Sequence, residues 1–461
     1  MPNFAQLLVA DRGQSAHPVE IVPVAGFADW LNRQPPRVRA AIAQQQLRGK
    51  EGESAVLPAE DSEDWSAVLV VKDGTLTAWT LAGLVPKLLG GNYRLVGADT
   101  GAAGLGWLLA QHAFTRYRKP EPAEPCVLLS ADPARIDETV RLAQATATVR
   151  DLVNTPAGDL GPAELEATVE ALAAAHGATF TLTKGKALAD GYPMIHAVGR
   201  AATAERSPRL LELEWGNPAD PRVAIVGKGV CFDTGGLDIK PSSGMRLMKK
   251  DMGGAAHAIA LAGLVMAGRL RVRLHLLVPA VENSVSADAF RPGDVLKTRQ
   301  GLTVENTNTD AEGRLILGDA LTKAAEGEPL LILDFATLTG AARVAVGPDL
   351  PATFANDEPL AAELLAAAAA VDDPLCRLPL WDGYDDMLKS DIADLVNAPD
   401  GGFAGAITAA LFLRRFVPAG TPWAHFDTFA WRPAAKPGRP KGGDALGLRA
   451  SWEMLKRRYS A

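Results

Sequence analysis

Three short, continuous apolar runs, separated by helical patterns, constrain the fold of this chain more than any other feature. The runs extend from Arg222 to Val226, from Arg271 to Val278 and from Leu330 to Asp334. An apolar helix, Gly253 to Met266, lies between the first two runs, and a helix over about residues 311–325 lies between the last two. Strands that are apolar on both faces need cover on both faces, and the intervening helices supply it. The pattern therefore predicts an α/β sheet with helices on either side.

Residues 1 to about 118 have a different texture, with short apolar runs between polar, turn-rich stretches. An amphipathic pattern predicts a helix from Gly101 to Tyr117. The stretch from Lys119 to Pro125 predicts an exposed connector, because three prolines in six positions cannot lie inside a helix. A strand from Cys126 to Ser130 and a helix from about Ala134 to Val153 follow. We expect the domain boundary at this last helix.

Composition excludes several classes of protein. The 461 residues carry a net charge of −7, so general nucleic-acid binding is not expected, and the basic stretch Arg116 to Lys119 is too small to change this. Three widely spaced cysteines exclude a disulfide framework. No apolar run reaches the roughly 18 residues of a membrane span, and the first residues do not resemble a signal peptide. We therefore expect a cytoplasmic protein with no membrane partner.

A glycine-rich segment from Val226 to Pro241 begins where the first apolar strand ends. Ligands in open α/β sheets bind beyond the carboxyl ends of the strands. Glycines with a lysine could cradle a phosphate, but the segment lacks the G-x-x-x-x-G-K-[ST] spacing and Asp233 would repel the anion. A glycine-rich turn with solvated lysines is a further interpretation.

A second segment, Asn308 to Leu315, places two carboxylates just ahead of an apolar helix. In extended backbone Asp310 and Glu312 would share one face and repel each other unless a cation lies between them. An ordinary helix start with Asp310 as the N-cap is the alternative. With Asp233 and Asp251 the chain has four carboxylates near strand ends. Such a set suits divalent ions and could bridge two metals about 3.5–4 Å apart, as in two-metal hydrolysis.

These segments resemble the leucyl (cytosol) aminopeptidase family, and the resemblance covers about residues 150–450. The run N-T-D-A-E-G-R-L, from Asn308 to Leu315, matches the family hallmark without change. The pattern V-G-K-G-x-x-F-D-[ST]-G-G-x-x-x-K-P is present from Val226 to Pro241. Three further blocks also match: Met248 to Ala256, Arg150 to Ala157 and Asp334 to Gly340.

The resemblance implies two divalent metal ions per subunit, Mn²⁺ or Zn²⁺, with Mg²⁺ and Co²⁺ also tolerated by such ligands. It implies that Asp233, Asp310 and Glu312 hold one ion, and that Lys228, Asp233, Asp251 and Glu312 hold the other. A lysine ligand must be neutral, and we expect a neighbouring dication and dry surroundings to lower its pKa.

The resemblance also implies the catalytic residues and the substrate pocket. Lys240 would stabilise the oxyanion, and Arg314 would clamp a bicarbonate that shuttles a proton. A water bridging the metals would attack the first peptide bond of a peptide with a free amine. The positions that match the family's substrate pocket would favour leucine-like first residues, and they are Met248, Thr337, Leu338 and Gly340.

The fold implied is a smaller amino-terminal α/β domain, residues 1–150, joined by a helix to a larger three-layer α/β/α catalytic domain with a mixed central sheet, residues 151–461. The family forms hexamers, so a homohexamer acting on peptides is expected.

Two other functions are considered. A non-catalytic binding protein would be free to lose Lys240 or Arg314, but this chain keeps both. A dinuclear phosphatase would normally need histidine ligands, but no candidate ligand here is a histidine. We interpret His257 and His425 as packing or supporting residues and Cys231 as a small buried hydrophobe.

Overall fold

A computed structural model of the chain describes residues 2–59, 64–119 and 124–460. The chain divides into two compact units, one of residues 1–147 with 434–441 and the other of residues 148–433 with 442–461. The sequence does not predict that residues 434–441 belong to the first unit. Most of the predicted proline-rich connector, residues 120–123, lies outside the described residues. No described helix is long and apolar enough to cross a membrane.

The first unit is built on a sheet that has six strands within the described residues, in the order β1-β6-β5-β2-β4-β3. Neighbouring strands are parallel, except that β3 runs antiparallel to β4. The strands are β1 (Leu8–Ala10), β2 (His17–Pro23), β3 (Ser54–Pro58), β4 (Trp65–Val71), β5 (Gly91–Val96) and β6 (Cys126–Ser130). The helices are α1 (Phe27–Asn32), α2 (Pro36–Gln44), α3 (Gly104–Leu109) and the start of α4 (Ile136–Asn154).

The prediction of a helix from Gly101 to Tyr117 is wrong beyond Leu109. A 3-10 turn over Gly101–Ala103 leads into α3, which ends at Leu109. The side chain of Gln111 then forms hydrogen bonds with Cys126, the first residue of β6. Its Nε2 donates to the carbonyl of Cys126 and its Oε1 accepts from the N–H of Cys126, each at 2.9 Å. These tertiary bonds override the amphipathic pattern. The other two predictions, the strand Cys126–Ser130 and the helix ending near Val153, are confirmed.

The second unit contains a mixed sheet of nine strands within the described residues. Its order is β16-β15-β18-β14-β9-β11-β8-β7, and β10 pairs with β11 outside this path. The strands of the unit are β7 (Thr179–Lys184), β8 (Arg209–Trp215), β9 (Arg222–Gly227), β10 (Gly229–Asp233), β11 (Arg273–Asn283), β12 (Val295–Lys297), β13 (Thr303–Glu305), β14 (Leu331–Ala336), β15 (Ala352–Ala355), β16 (Cys376–Arg377), β17 (Leu395–Val396), β18 (Trp423–Asp427), β19 (Trp431–Arg432) and β20 (Gly442–Gly443).

Helices cover both faces of this sheet, as the apolar strands predict. The helices of the unit are α5 (Pro162–His176), α6 (Lys186–Gly191), α7 (Pro193–Gly199), α8 (Ser242–Met245), α9 (Gly253–Ala267), α10 (Glu312–Ala325), α11 (Gly340–Val346), α12 (Glu358–Ala370), α13 (Gly405–Arg414) and α14 (Leu448–Tyr459). Side chains alternate along β9, so Ala224 and Val226 pack in one core with α7, α10 and α13. Gly227 faces α9 on the other side, next to Ala258. The predicted three-layer α/β/α architecture with a mixed sheet is confirmed.

The central strands β9, β11, β14 and β18 are parallel along β11-β9-β14-β18. Their carboxyl ends therefore meet at one edge of the sheet, and β10 ends at the same edge because it runs parallel to β11. The segments that carry Lys228, Asp233 and Thr337 leave the sheet there, whereas the segment with Asp310 and Glu312 follows β13 of a separate three-stranded sheet.

Candidate metal centre and active site

A cavity of about 360 Å³ opens at this edge of the sheet. Lys228 follows β9, Asp233 ends β10, and Asp427 ends β18. The segment from Thr337 to Gly340 joins β14 to α11. The predicted site residues that line the cavity are Lys228, Asp233, Lys240, Met248, Asp251, Asp310, Glu312, Thr337, Leu338 and Gly340.

Three carboxylates form the centre of the cavity. One oxygen from each of Asp233, Asp310 and Glu312 lies within 4.8 Å of the others. Asp233 and Glu312 are buried. Burial, followed by the charge of Asp233, raises the pKa of Asp310 to about 6 and that of Glu312 to about 8. Carboxylates held this close in a buried setting favour a cation between them.

Lys240 reaches this cluster from the loop after β10. Its Nζ lies 2.8 Å from Oδ2 of Asp233 and also contacts Asp310. Burial lowers the pKa of Lys240, but the charges of Asp233 and Glu312 outweigh it, and the net pKa is raised. Lys240 is therefore a protonated cation at neutral pH, which is the form that can stabilise a developing negative charge.

Lys228 and Asp251 occupy the inner side of the cavity. The Nζ of Lys228 contacts Asp251, lies 3.0 Å from Oε1 of Glu312 and donates to the carbonyl of Thr337 at 3.2 Å. Thr337 Oγ1 donates to Asp251 Oδ1 at 2.8 Å. Burial pushes the pKa of Lys228 down, as the sequence predicts, but the charges of Asp251, Glu312 and Asp233 raise it overall. Lys228 must therefore give up a proton before its nitrogen can bind a metal.

A glycine next to Glu312 lets Lys228 approach. A Cβ added at Gly313 would lie 2.2 Å from Cε of Lys228, so a larger residue at the first turn of α10 would displace the lysine. The hallmark run therefore places the carboxylates and also leaves room for their partner.

The local backbone around Asp310 differs from both sequence interpretations. Thr309–Ala311 form a 3-10 turn, and α10 begins at Glu312, so the two carboxylates do not share the face of an extended segment. The side chain of Asn308, and not that of Asp310, caps the turn, because its Oδ1 accepts from the N–H of Asp310 at 2.8 Å. The turn nevertheless brings Asp310 and Glu312 into the same cavity.

Asn283 is a supporting residue that sequence reasoning missed. Its Nδ2 donates to Oδ1 of Asp233 at 2.9 Å and to the carbonyl of Thr309 at 3.0 Å, and the side chain is completely buried. It therefore fixes Asp233 relative to the segment that carries Asp310. The available signal was the polar residue that ends the long apolar strand β11.

Arg314 lies apart from the other predicted residues. It is buried, its Nη1 donates to the carbonyl of Asn397 at 2.7 Å, and it is not among the described residues that line the cavity. Its Nε has no hydrogen-bond partner within the described part of the chain. Burial lowers the pKa of Arg314 to about 10, an effect opposed by the charges of Glu312 and Asp427, so it remains cationic at neutral pH.

The two histidines and the cysteine lie outside the carboxylate cluster. His257 Nδ1 lies 2.7 Å from the carbonyl of Gly253, and its Nε2 accepts from the N–H of Leu446 at 3.0 Å. His425 Nδ1 lies 2.6 Å from Asp334. Cys231 is buried, and burial raises the pKa of its thiol well above the usual value. A thiol in that state is a poor nucleophile.

The donor set fits divalent ions. Four carboxylates and a lysine amine line one cavity. Burial raises the pKa of Glu312, repulsion from Asp233 raises it further, and a bound cation would relieve that repulsion. Lys240 adds a fixed positive charge next to them. Such a cluster in an α/β fold is typical of metal-dependent hydrolases.

Comparison with known proteins identifies the family. A family model described as "Cytosol aminopeptidase family, catalytic domain" matches residues 147–451, and one described as "M17 aminopeptidase, N-terminal domain" matches residues 17–129. A probable cytosol aminopeptidase of Syntrophotalea carbinolica is 41% identical over 76% of this chain and 73% of its own length. One of Nocardia farcinica is 38% identical over 97% of this chain and 94% of its own.

Solved structures of similar proteins support the same family. The cytosol aminopeptidase of Coxiella burnetii has a TM-score of 0.93 and 43% identity, covering 98% of this chain and 99% of that chain. A bottromycin maturation enzyme in complex with Mn has a TM-score of 0.84 and 32% identity, covering 98% and 99%. The chain belongs to the cytosol aminopeptidase family. It is a metallo-exopeptidase, a hydrolase that acts on peptides.

Proposed function

We propose that this chain removes the first residue of peptides that have a free amino-terminal amine, with a preference for leucine-like and other apolar first residues. The cluster of Asp233, Asp310 and Glu312, in which one oxygen of each lies within 4.8 Å of the others and Asp233 and Glu312 are buried, is the observation that carries the proposal. Met248 and Leu338 give the same cavity an apolar wall, which supports the apolar preference.

Two divalent ions per subunit would be held by the five donors, with Asp233, Asp310 and Glu312 on one and Lys228, Asp233, Asp251 and Glu312 on the other. The oxygen donors with one amine suit Mn²⁺ or Zn²⁺, and also Mg²⁺ or Co²⁺. Bound there, such ions would supply Lewis acidity and lower the pKa of a water molecule. A free α-amine has a lone pair that one of these ions could bind, whereas an acylated nitrogen has none to offer, which would explain a requirement for an unblocked substrate.

Lys240 and Arg314 act by charge. We propose that Lys240, kept protonated by Asp233 and Glu312, donates to the oxyanion formed at the scissile carbonyl. We propose that Arg314 clamps a bicarbonate, and its buried Nε, for which the described residues offer no acceptor, supports this. Its guanidinium fork matches a planar anion in shape.

The remaining proposals concern organisation. Residues 1–150 would form a separate amino-terminal domain and residues 151–461 the catalytic domain. The two compact units support this division, except that residues 434–441 belong to the first unit. We also propose a homohexamer, on the family resemblance alone. A cytoplasmic location is supported by the relatives named cytosol aminopeptidase.

The proposal is tested by hydrolysis of leucine amide beside N-acetyl-leucine amide, after chelation and again after Mn²⁺ or Zn²⁺ is restored. Cleavage of leucine amide alone, only with metal present, is the expected result. Equal cleavage of both substrates would contradict the requirement for a free amine. Cleavage of neither by a folded, metal-loaded protein would contradict the peptidase function.

A further inference from the structure

The cavity wall carries a cation that the metal cluster does not use. Arg343 lies on α11, lines the cavity and is exposed, and its guanidinium carbon lies 5.0 Å from the centre of the Phe429 ring. Within the described part of the chain, no carboxylate forms an ion pair with this guanidinium. The stacked aromatic ring restricts the orientation of the guanidinium without neutralising its charge.

Arg343 lies beside the proposed pocket for the first residue of the substrate. A Cβ added at Gly340, a residue of that pocket, would lie 3.8 Å from Nη2 of Arg343. Lys250, two residues after Met248, also lines the cavity, and its Nζ lies 5.8 Å from the centre of the Phe429 ring. The wall next to this pocket is therefore positively charged as well as apolar.

The acidic groups of the cavity are already engaged by other partners. Asp427 accepts from the N–H groups of Leu338 and Thr339 at 3.0 and 3.2 Å and from Thr339 Oγ1 at 2.6 Å. The carboxylates of the metal cluster are paired with Lys228 and Lys240. Lys250 itself lies 3.2 Å from Asp251. An acidic ligand would therefore find in Arg343 a cation with no competing carboxylate among the described residues.

We propose that Arg343 is a specificity-determining residue that binds the carboxylate of an acidic first residue, aspartate or glutamate, so that the enzyme cleaves such peptides as well as those with apolar first residues. The planar fork of a guanidinium matches a carboxylate with two parallel hydrogen bonds. A hydrogen bond to a charged group discriminates strongly between glutamate and its neutral amide, glutamine. The inference rests on the proposed function, because it uses the same cavity and the same first-residue pocket.

The experiment compares glutamyl, glutaminyl and leucyl p-nitroanilides with the metal-restored enzyme. These substrates have no second amino acid and no terminal carboxylate, so the first side chain is the acid under test. We expect the wild type to have a higher kcat/KM for the glutamyl than for the glutaminyl substrate. Arg343→Met should lower this ratio by about tenfold, as loss of a charge-assisted hydrogen bond implies, and should lower leucyl hydrolysis by a smaller factor than glutamyl hydrolysis. Arg343→Lys should restore part of the ratio.

Arg271→Met is the matched control, because Arg271 is an exposed arginine of the same unit that does not line the cavity. It should leave the glutamyl-to-glutaminyl ratio unchanged. Equal glutamyl and glutaminyl rates in the wild type, or a parallel fall of all three substrates in Arg343→Met, would overturn the inference alone. Failure of the folded, metal-restored wild type to cleave even the leucyl substrate would overturn the proposed function, and the inference with it.

Discussion

Asn283 provides a demanding test of how the metal ligands are held. Replacing it by leucine keeps the approximate side-chain volume but removes both bonds of Nδ2, to Asp233 Oδ1 at 2.9 Å and to the carbonyl of Thr309 at 3.0 Å. Asp233 retains the N–H of Gly235 at 2.8 Å, so it is loosened but not left without a donor. Two buried hydrogen bonds at about 1–1.5 kcal/mol each give a loss of roughly 2–3 kcal/mol in the free energy of unfolding.

The functional effect should be a loss of metal affinity. Removal of a group that orients a ligand typically weakens metal binding by about 10- to 100-fold. We expect Asn283→Leu to need about 10- to 100-fold more Mn²⁺ for half-maximal activity. Its kcat at saturating Mn²⁺ should differ from the wild-type kcat by a smaller factor. Titration calorimetry with Mn²⁺ and urea denaturation of the metal-free protein separate the two effects.

A matched control is Asn356→Leu. Asn356 also joins two segments, donating from Nδ2 to the carbonyl of Thr421 at 2.9 Å and accepting from the N–H of Trp423 at 2.8 Å, but it does not line the cavity. Because Asn356 is exposed, the variant should lose less stability than Asn283→Leu, and its metal affinity should not change. An unchanged Mn²⁺ affinity in Asn283→Leu, or an equal loss in both variants, would refute the reasoning.

Three further predictions concern charge, packing and pH. Lys240→Met should lower kcat for leucyl p-nitroanilide by about 10²–10³-fold with metal content unchanged, and a near-normal kcat would contradict its oxyanion function. Gly254→Ala should lower the free energy of unfolding by about 1–3 kcal/mol in urea, because its Cβ would lie 2.1 Å from the carbonyl oxygen of Phe335; Gly263→Ala in the same helix, with its nearest contact at 3.5 Å, should not. Burial lowers the pKa of His257. The stability that His257 contributes is therefore present above its unfolded pKa of about 6.5 and is lost as the pH falls through its folded pKa. The free energy of unfolding should fall more between pH 7 and pH 5 in the wild type than in His257→Gln.

The sequence predicts the layers of the catalytic unit well, because the strands β9, β11 and β14 are apolar on both faces and need helices on both sides. It also brings Lys228 and Asp233 to one edge, because parallel strands end together there. The Asp310 segment follows β13 of a separate sheet, so this rule does not place it. These inferences depend on local patterns and on a rule of topology. The resemblance to the aminopeptidases then adds the pairing of ligands with particular ions.

Tertiary contacts decide what the sequence does not predict. The helix expected to reach Tyr117 ends at Leu109, because the side chain of Gln111 forms hydrogen bonds with the first residue of β6. Asn283 is indicated only by its position as the polar residue that ends β11, and nothing in the local pattern around Arg343 indicates a cavity. The extended-strand argument for Asp310 fails because a capped 3-10 turn, and not a strand, leads into α10.

The central claim is that the buried carboxylates and lysine form a two-metal centre on which peptide hydrolysis depends. The most direct test measures the number of divalent ions bound per chain by elemental analysis and the rate of leucine amide hydrolysis in the same samples. Both are measured before chelation, after chelation and after Mn²⁺ is restored. The account predicts two ions per chain, with activity lost on their removal and recovered as they return. Full activity in the chelated protein, with no divalent ion bound, would contradict it.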